Sequence, residues 1–231
     1  GLADVSEFVA EKSVLGLPST DGALASLPVN ALVDEVSRPS PAPGGGSIAA
    51  LAGSLGVALS SMVANLSFHK RGLEAHRANF EQLAMRAQVL KDELLRAVDA
   101  DTEAFNDVLR AMRMPQGSAA ERSVRAAAIE EGYKGATLVP LQTAKLCLEA
   151  LQLCRQAAAD CLLASVTDVA VGALMARAGV LGSVYNVRIN LPSIADAAWV
   201  TSRRADLEDL VSSAETLEAE TRQIVEQRMA G

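Results

Sequence analysis

The feature that most constrains this chain is the long stretch between Arg38 and His69, which contains no charged side chain. Its apolar part, residues 48–68, is long enough to cross a bilayer core of about 30 Å. Glycine, serine and asparagine interrupt this part, however, and alanine supplies much of its apolar content, so transfer into lipid would be weak. The large apolar residues recur every three or four positions, as on one face of a helix: Ile48, Leu51, Leu55, Leu59, Met62, Val63 and Leu66. The pattern predicts the central helix of a bundle, with protein on nearly every side, rather than a membrane span.

Helical periodicity also dominates the rest of the chain, and the alternation that would indicate strands is nearly absent. We therefore predict an all-α fold, a helical bundle with long helices, as one domain over residues 28–231. Residues 1–27, with Gly16, Pro18 and Gly22 in polar surroundings, indicate a leader or linker. The remaining predicted helices cover residues 29–36, 73–112 (as one helix or two), 119–159, 161–178 and 193–228.

Two residues are expected to interrupt these helices. Pro140 lacks a backbone N–H and predicts a kink or break near Leu138. Gly179 predicts a helix end, because glycine readily adopts the left-handed conformation that closes a helix. The segment that follows, residues 180–189, could be extended or helical.

Composition and charge exclude several classes of protein. A chain with 50% apolar and 21% charged residues is globular rather than disordered. The net charge of −7 disfavours broad binding to nucleic acid or to anionic lipid, so neither a nucleic acid nor a membrane is an expected partner. Cys147, Cys154 and Cys161 fit neither disulfide nor zinc spacing, and we expect buried thiols in a reducing, cytoplasmic environment. No His, Asp and Glu set has metal-ligand spacing, so no metal site is predicted.

The first candidate site is the run of prolines and glycines over residues 39–47, which leads into the apolar helix. Glycines leave the backbone unshielded, and the first N–H groups of a helix are unpaired, so this run could receive a carboxylate, phosphate or carbonyl oxygen. The alternative is a tight turn in which Ser47 caps the helix. The sequence leaves both possibilities open.

The second candidate is a group of three acids, Asp99, Asp101 and Glu103, in a helix otherwise rich in core residues. Residues two positions apart on a helix are separated by about 200° around its axis, so the side chains of Asp99 and Asp101 face opposite ways. We expect one of them to face a cavity, where burial would raise its pKa and make it usable as a general acid or base. The alternative is an ordinary solvent-exposed face paired with Arg96 or Arg110.

Other polar residues are weaker candidates. Lys70 and Arg71 follow the uncharged stretch and could complement the helix dipole or bind a polyanionic tail. Asp168, in an apolar helix, could cap that helix or line a site. Asn186 and Asn190 lie in an apolar run, where buried amides need partners from the protein or from a ligand.

These motifs, in this order, resemble the cyclodeaminase domain of formiminotransferase-cyclodeaminase and its stand-alone relatives, the methenyltetrahydrofolate cyclohydrolases. The resemblance covers residues 28–229, and residues around 15–18 resemble the junction that follows a formiminotransferase domain. The matching segments are SPAPGGGS (40–47), MVANLSFHKRG (62–72), VDADTEAFN (98–106), EEGYKGATLVPL (130–141), SVTDVAVGAL (165–174) and YNVRINL (185–191).

The resemblance implies an all-α homodimer or higher oligomer. It also implies that folate, which can carry a polyglutamate tail, binds near the subunit interface. It implies ring closure of 5-formiminotetrahydrofolate to 5,10-methenyltetrahydrofolate with loss of ammonia, as part of histidine degradation, with tetrahydrofolate as substrate carrier and no metal. Asp101 matches the catalytic acid, and Asp99 would be structural. The residues implied to contact folate are Gly44, Gly45, Gly46, Ser47, Lys70 with Arg71, Asp168, Asn186 and Asn190. The alternatives are a cyclohydrolase and an inactive helical scaffold.

Overall fold

The computed structural model describes residues 24–40 and 42–231, so most of the predicted leader lies outside the described residues. Within these ranges the chain contains no strand, which confirms the all-α prediction. Its helices are α1 (Val29–Val36), α2 (Gly45–Phe68), α3 (Arg77–Met112), α4 (Ala119–Asp160), α5 (Val166–Asn190) and α6 (Ala197–Ala230). Short 3-10 turns precede α3, α5 and α6.

The uncharged stretch forms α2, which packs against α3, α4 and α5. Small residues make this packing close. A methyl group added at Gly56 would lie 2.6 Å from the carbonyl oxygen of Gly172, and one added at Gly179 would lie 2.9 Å from that of Ala49. The backbones of α2 and α5 therefore touch along much of their length, which confirms the central position predicted for α2.

One face of α2 is not covered by the chain itself. Ile48, Leu55, Met62 and Leu66 are 37–49% exposed, so the prediction of protein on nearly every side is wrong for the single chain. By length and composition alone, α2 and the segment Leu163–Ser193 could cross a membrane. Two thirds of the apolar window of α2 is buried inside the protein, as in the core helix of a bundle.

The predicted interruption at Pro140 is wrong, because α4 continues through it as one helix. Proline cannot donate the hydrogen bond that the carbonyl of residue 136 would receive in a regular helix. The side-chain amide of Asn190 replaces that donor, with Nδ2 lying 2.8 Å from the carbonyl oxygen of Ala136. The unpaired carbonyl is thus satisfied from α5, and the helix does not need to end.

The predicted helix end at Gly179 is also wrong, since α5 runs through it to Asn190. Gly179 provides room for α2 rather than a left-handed turn, because a side chain there would collide with Ala49 and with the thiol of Cys147. The three cysteines are free and buried, as predicted. Burial raises the pKa of Cys147 and of Cys154 to about 12, so both thiols stay protonated at neutral pH.

The close crossing of α2 and α5 predicts that Gly56→Ala destabilises the fold. The added methyl group would meet the backbone of Gly172 and of Ala176, which cannot move aside as a side-chain end can. We expect the free energy of unfolding to fall by about 1–3 kcal/mol, measured by urea denaturation. The matched control is Gly135→Ala in α4, where nothing lies within 4 Å of the new group and a gain of about 0.5–1 kcal/mol is expected. Equal effects of the two substitutions would contradict the packing described here.

Candidate active site

The glycine run places the first turn of α2 against the middle of α3. Gly44 is the N-cap residue of α2, and Ser47 lies inside the first turn, so the alternative in which Ser47 caps the helix is wrong. The hydroxyl of Ser47 is fully buried and donates to the carbonyl oxygen of Val98 at 2.8 Å. It therefore joins α2 to α3 instead of turning back to the N–H groups of its own helix.

Asp101 lies on α3 beside this turn and is half-buried. Its Oδ2 is 3.3 Å from Oγ of Ser47. A methyl group at Gly46 would lie 2.0 Å from Oδ1, so the carboxyl group packs directly on bare backbone. Only glycine at position 46 leaves space for Asp101, which explains one glycine of the run.

The surroundings of Asp101 favour its neutral form. Burial raises the pKa of the Asp101 carboxyl above its ordinary value, whereas a hydrogen bond from the backbone of Ser47 acts in the opposite direction. A carboxyl group with a raised pKa retains a proton closer to neutral pH, as a general acid must. The raised pKa expected for one of the paired acids is therefore found at Asp101, although its carboxyl group packs on the glycine turn and lines neither of the hollows described below.

Asp99 has a different role, although it is only two residues away. Its carboxylate accepts hydrogen bonds from the backbone N–H groups of Leu24 at 2.8 Å and Ala25 at 3.3 Å. It thus holds the start of the described chain against α3. Glu103 lies on the exposed side and pairs with Arg110 at 2.7 Å, so the ordinary solvent-exposed face predicted as the alternative applies to this third acid.

Asn186 lies on the other side of the glycine turn. A methyl group at Gly45 would be 3.3 Å from its Nδ2, which donates to the carbonyl oxygen of Gly182 at 2.8 Å. The structure therefore brings together the residues Gly44–Ser47, Asp101 and Asn186. Asn190 lies one helical turn beyond Asn186 and binds the carbonyl of Ala136, which explains its polarity without a ligand.

Lys70 and Asp168 are not part of this cluster within one chain. Lys70 follows the C-terminal end of α2, which at 24 residues is about 36 Å long. Asp168 lies in the first turn of α5, which runs antiparallel to α2, and it makes no capping hydrogen bond. Both residues are thus at the far end of α2 from Asp101.

Two hollows adjoin the turn of α3 that carries Asp101, and no sequence motif points directly to either. The larger, of about 690 Å³, lies between α3 and α4. The smaller, of about 500 Å³, lies beside the proline segment and includes Pro43. Ala100 and Glu103 line both of them.

Gly135 was the signal that could have revealed the larger hollow. This residue lines the hollow, and nothing lies within 4 Å of the position that its side chain would occupy. A glycine inside a helix costs about 0.5–1 kcal/mol relative to alanine, and here no packing contact explains it. Among the residues that the structure describes, no group of three or more His, Cys, Asp or Glu side chains could hold a metal ion.

Comparison with known proteins places this geometry in a family. The formiminotransferase-cyclodeaminase family model matches residues 28–209. Methenyltetrahydrofolate cyclohydrolase from Methylorubrum extorquens is 33% identical over 189 residues, which cover 82% of this chain and 91% of that protein. Formimidoyltransferase-cyclodeaminase from Gallus gallus is 35% identical over 210 residues, which cover 91% of this chain and 39% of that protein. The protein of the same name from Sus scrofa is 34% identical, with 88% of this chain and 38% of that protein covered.

This chain therefore spans about two fifths of the length of the two formimidoyltransferase-cyclodeaminases. The crystal structure of formiminotetrahydrofolate cyclodeaminase from Thermotoga maritima has the same fold, with a TM-score of 0.79 at 23% identity. The superposition covers 87% of this chain and 97% of that one. Because the family model matches most of the chain and these three relatives exceed 30% identity, the chain belongs to the formiminotransferase-cyclodeaminase family.

Proposed function

We propose that this chain closes 5-formiminotetrahydrofolate to 5,10-methenyltetrahydrofolate with release of ammonia, as a step of histidine degradation, and that Asp101 is its general acid. The observation that carries the proposal is the half-buried carboxyl group of Asp101, packed against the glycine turn of α2. Membership of a family with relatives named for this reaction supports it. Tetrahydrofolate is then the carrier of the reacting carbon, and the proposal requires no metal.

The proposed reaction needs an acid at one step. N10 of the folate attacks the formimino carbon and loses its hydrogen as a proton to solvent, and the resulting tetrahedral carbon then breaks its bond to the former imine nitrogen. That nitrogen must leave protonated, because an amide ion is far too basic to depart. Asp101 supplies the proton, and the N–H groups in the first turn of α2 then stabilise the carboxylate that remains.

Binding of folate is proposed at the hollows beside Asp101. Each is within the size range of sites for small molecules, which is about 300–1,000 Å³. The backbone of Gly44–Ser47 and the amide of Asn186 line neither hollow, and they are proposed to hold the part of the ligand that reaches Asp101. The three buried free thiols support a reducing, cytoplasmic location for the enzyme.

Hydrolysis of methenyltetrahydrofolate is the second candidate function. The relative from Methylorubrum extorquens carries the cyclohydrolase name and is matched over 91% of its length. The two activities are separated by measuring, on the purified protein, ammonia release from formiminotetrahydrofolate beside the loss of methenyltetrahydrofolate in water. The proposal expects the first activity to dominate, and a protein that hydrolyses the methenyl compound without releasing ammonia would contradict it.

A general acid at position 101 predicts a large effect of Asp101→Asn. This substitution keeps the shape of the side chain but removes the transferable proton, so kcat should fall by about 10²- to 10⁴-fold while folate still binds. Ammonia release and calorimetric titration with tetrahydrofolate measure the two quantities. The matched control is Asp92→Asn, nine residues earlier on α3 and outside both hollows, for which less than a tenfold change is expected. Comparable losses in both variants would argue against Asp101 as the acid.

The same carboxyl group predicts a pH dependence of stability. Burial raises the pKa of Asp101 in the folded chain above its unfolded value, so its contribution to stability is present at acid pH and is lost as pH rises through the folded pKa. Asparagine cannot ionise. The free energy of unfolding of Asp101→Asn relative to the natural chain should therefore increase between about pH 4 and about pH 8. Urea denaturation at the two pH values measures this, and a constant difference would contradict it.

We also propose that the exposed apolar face of α2 and α5 is a homodimer interface. It carries Leu55 and Met62 on α2 and Leu174 on α5, between 39% and 55% exposed. Exposed apolar surface of this kind is typical of protein contacts.

A two-fold axis perpendicular to α2 would bring Lys70 and Asp168 of one copy to the Asp101 end of the other. Lys70 and Arg71 could then bind the glutamate tail of the folate, which neither could do readily within one chain. A formiminotransferase domain, as in the longer relatives, is the proposed source of the substrate.

The interface predicts that Leu55→Glu yields a monomer. A carboxylate buried against apolar side chains of a second copy lacks a partner and is strongly unfavourable. Light scattering should report half the mass of the natural assembly, with a loss of ammonia release. Val124→Glu is the control, because Val124 is 60% exposed near the start of α4. An unchanged mass for Leu55→Glu would exclude this face as the interface.

A further inference from the structure

We propose that Ser47 is a positioning residue that accepts the hydrogen of protonated Asp101 and so holds the acid in its neutral form. This inference rests on the proposed role of Asp101 as the general acid. It concerns the hydroxyl group of Ser47, whereas the resemblance to the family implies only a backbone contact with folate for this residue.

The argument begins with the single hydrogen of a serine hydroxyl group. Oγ of Ser47 lies 2.8 Å from the carbonyl oxygen of Val98. A carbonyl oxygen can only accept, so Ser47 must be the donor in this bond. The only hydrogen of the Ser47 hydroxyl group is then used in the bond to Val98 on α3.

Two further oxygens surround Oγ of Ser47, and to both it can offer only lone pairs. Oγ1 of Thr102 is 3.3 Å away, and Oδ2 of Asp101 is also 3.3 Å away. Thr102 is therefore the donor in the first contact. The second contact is a hydrogen bond only when Asp101 carries a proton on Oδ2. A hydroxyl group has one donor and two acceptor positions, and all three are used only in that protonation state.

Ionisation of Asp101 would turn this contact into a repulsion between lone pairs. The ionised form of Asp101 is stabilised by a different group, because the backbone of Ser47 also hydrogen-bonds to Asp101. Ser47 thus contacts both forms of the acid, the neutral form through its hydroxyl group and the carboxylate through its backbone. This fixes the orientation of the carboxyl group before and after the proton is transferred.

The groups that face Asp101 carry no charge that would obscure this effect. The first turn of α2 presents Gly46 and Ser47, and α5 presents Asn186 beyond Gly45. On α3 itself, Asp99 binds the backbone of Leu24 and Ala25, and Glu103 pairs with Arg110. Burial raises the pKa of Asp101, and the hydrogen bond from the backbone of Ser47 lowers it.

The test is the pKa of Asp101 in Ser47→Ala, measured by carbon-13 NMR of the labelled aspartate carboxyl groups, with the signal assigned by its loss in Asp101→Asn. If Ser47 accepts, its removal favours the ionised form, and the pKa of Asp101 should fall by about 0.5 to 1, the effect of one hydrogen bond. A rise would mean that Ser47 donates to the carboxylate. Either a rise or no change would overturn the proposal.

A second readout is the pH profile of ammonia release. The alkaline limit of kcat, where the acid loses its proton, should move to lower pH by the same amount as the pKa, with KM little changed. A merely structural role would lower activity at every pH without moving this limit. The NMR titration needs no substrate, so it decides the role of Ser47 even if the chain releases no ammonia.

Ser54→Ala is the matched control. Ser54 lies seven residues along α2 on the same face, and its hydroxyl group donates to the carbonyl oxygen of Lys91 on α3 at 3.2 Å. The two substitutions remove the same kind of bond, so they should lower stability similarly, but only Ser47→Ala should change the pKa of Asp101. If Ser47→Ala does not fold, Ser47→Cys keeps the shape with a weaker acceptor and should lower the pKa in the same direction.

Discussion

The contact of the α2 backbone with its neighbours is the constraint on which the rest of the structure depends. Gly53, Gly56 and Gly179 have no room for side chains, and several other positions on the buried face of α2 are alanine or serine. Such a helix buries little apolar area per residue. Its stability comes instead from dense packing of backbone atoms, because many small dispersion attractions add up at such a contact. The same closeness places the first turn of α2 on the carboxyl group of Asp101, so the geometry of the bundle and of the candidate site have one origin.

Polar groups inside this packing are satisfied by contacts between helices. Ser47 and Ser54 each donate to a carbonyl oxygen of α3, and Asn190 replaces the donor that Pro140 lacks. Hydroxyl and amide groups in these positions are not free for ligands, because a buried carbonyl without a partner is costly. The groups that remain available at the Asp101 end are the glycine backbone, the acid itself and the amide oxygen of Asn186, whose Nδ2 donates to Gly182. The division between structural and reactive polar groups thus follows from counting donors and acceptors.

Much of this could be predicted from local sequence patterns. The helical class, the central helix and the opposed directions of Asp99 and Asp101 follow from periodicity alone. The errors at Pro140 and Gly179 have a different cause, since each depends on a residue that is distant in sequence: Asn190 for the first, and Ala49 with Cys147 for the second. Local patterns also cannot show that Lys70 and Asp168 lie a helix length from Asp101, because that distance depends on which helices run antiparallel. Residues that are predicted together from the motifs of a family can therefore lie at different ends of a single chain.

The bond between Asp99 and the backbone of Leu24 and Ala25 has a mechanical consequence. The point where the described chain enters the bundle is anchored two residues from Asp101, on the same turn of α3. A displacement of Leu24 and Ala25 would therefore act first on the turn of α3 that carries the proposed acid.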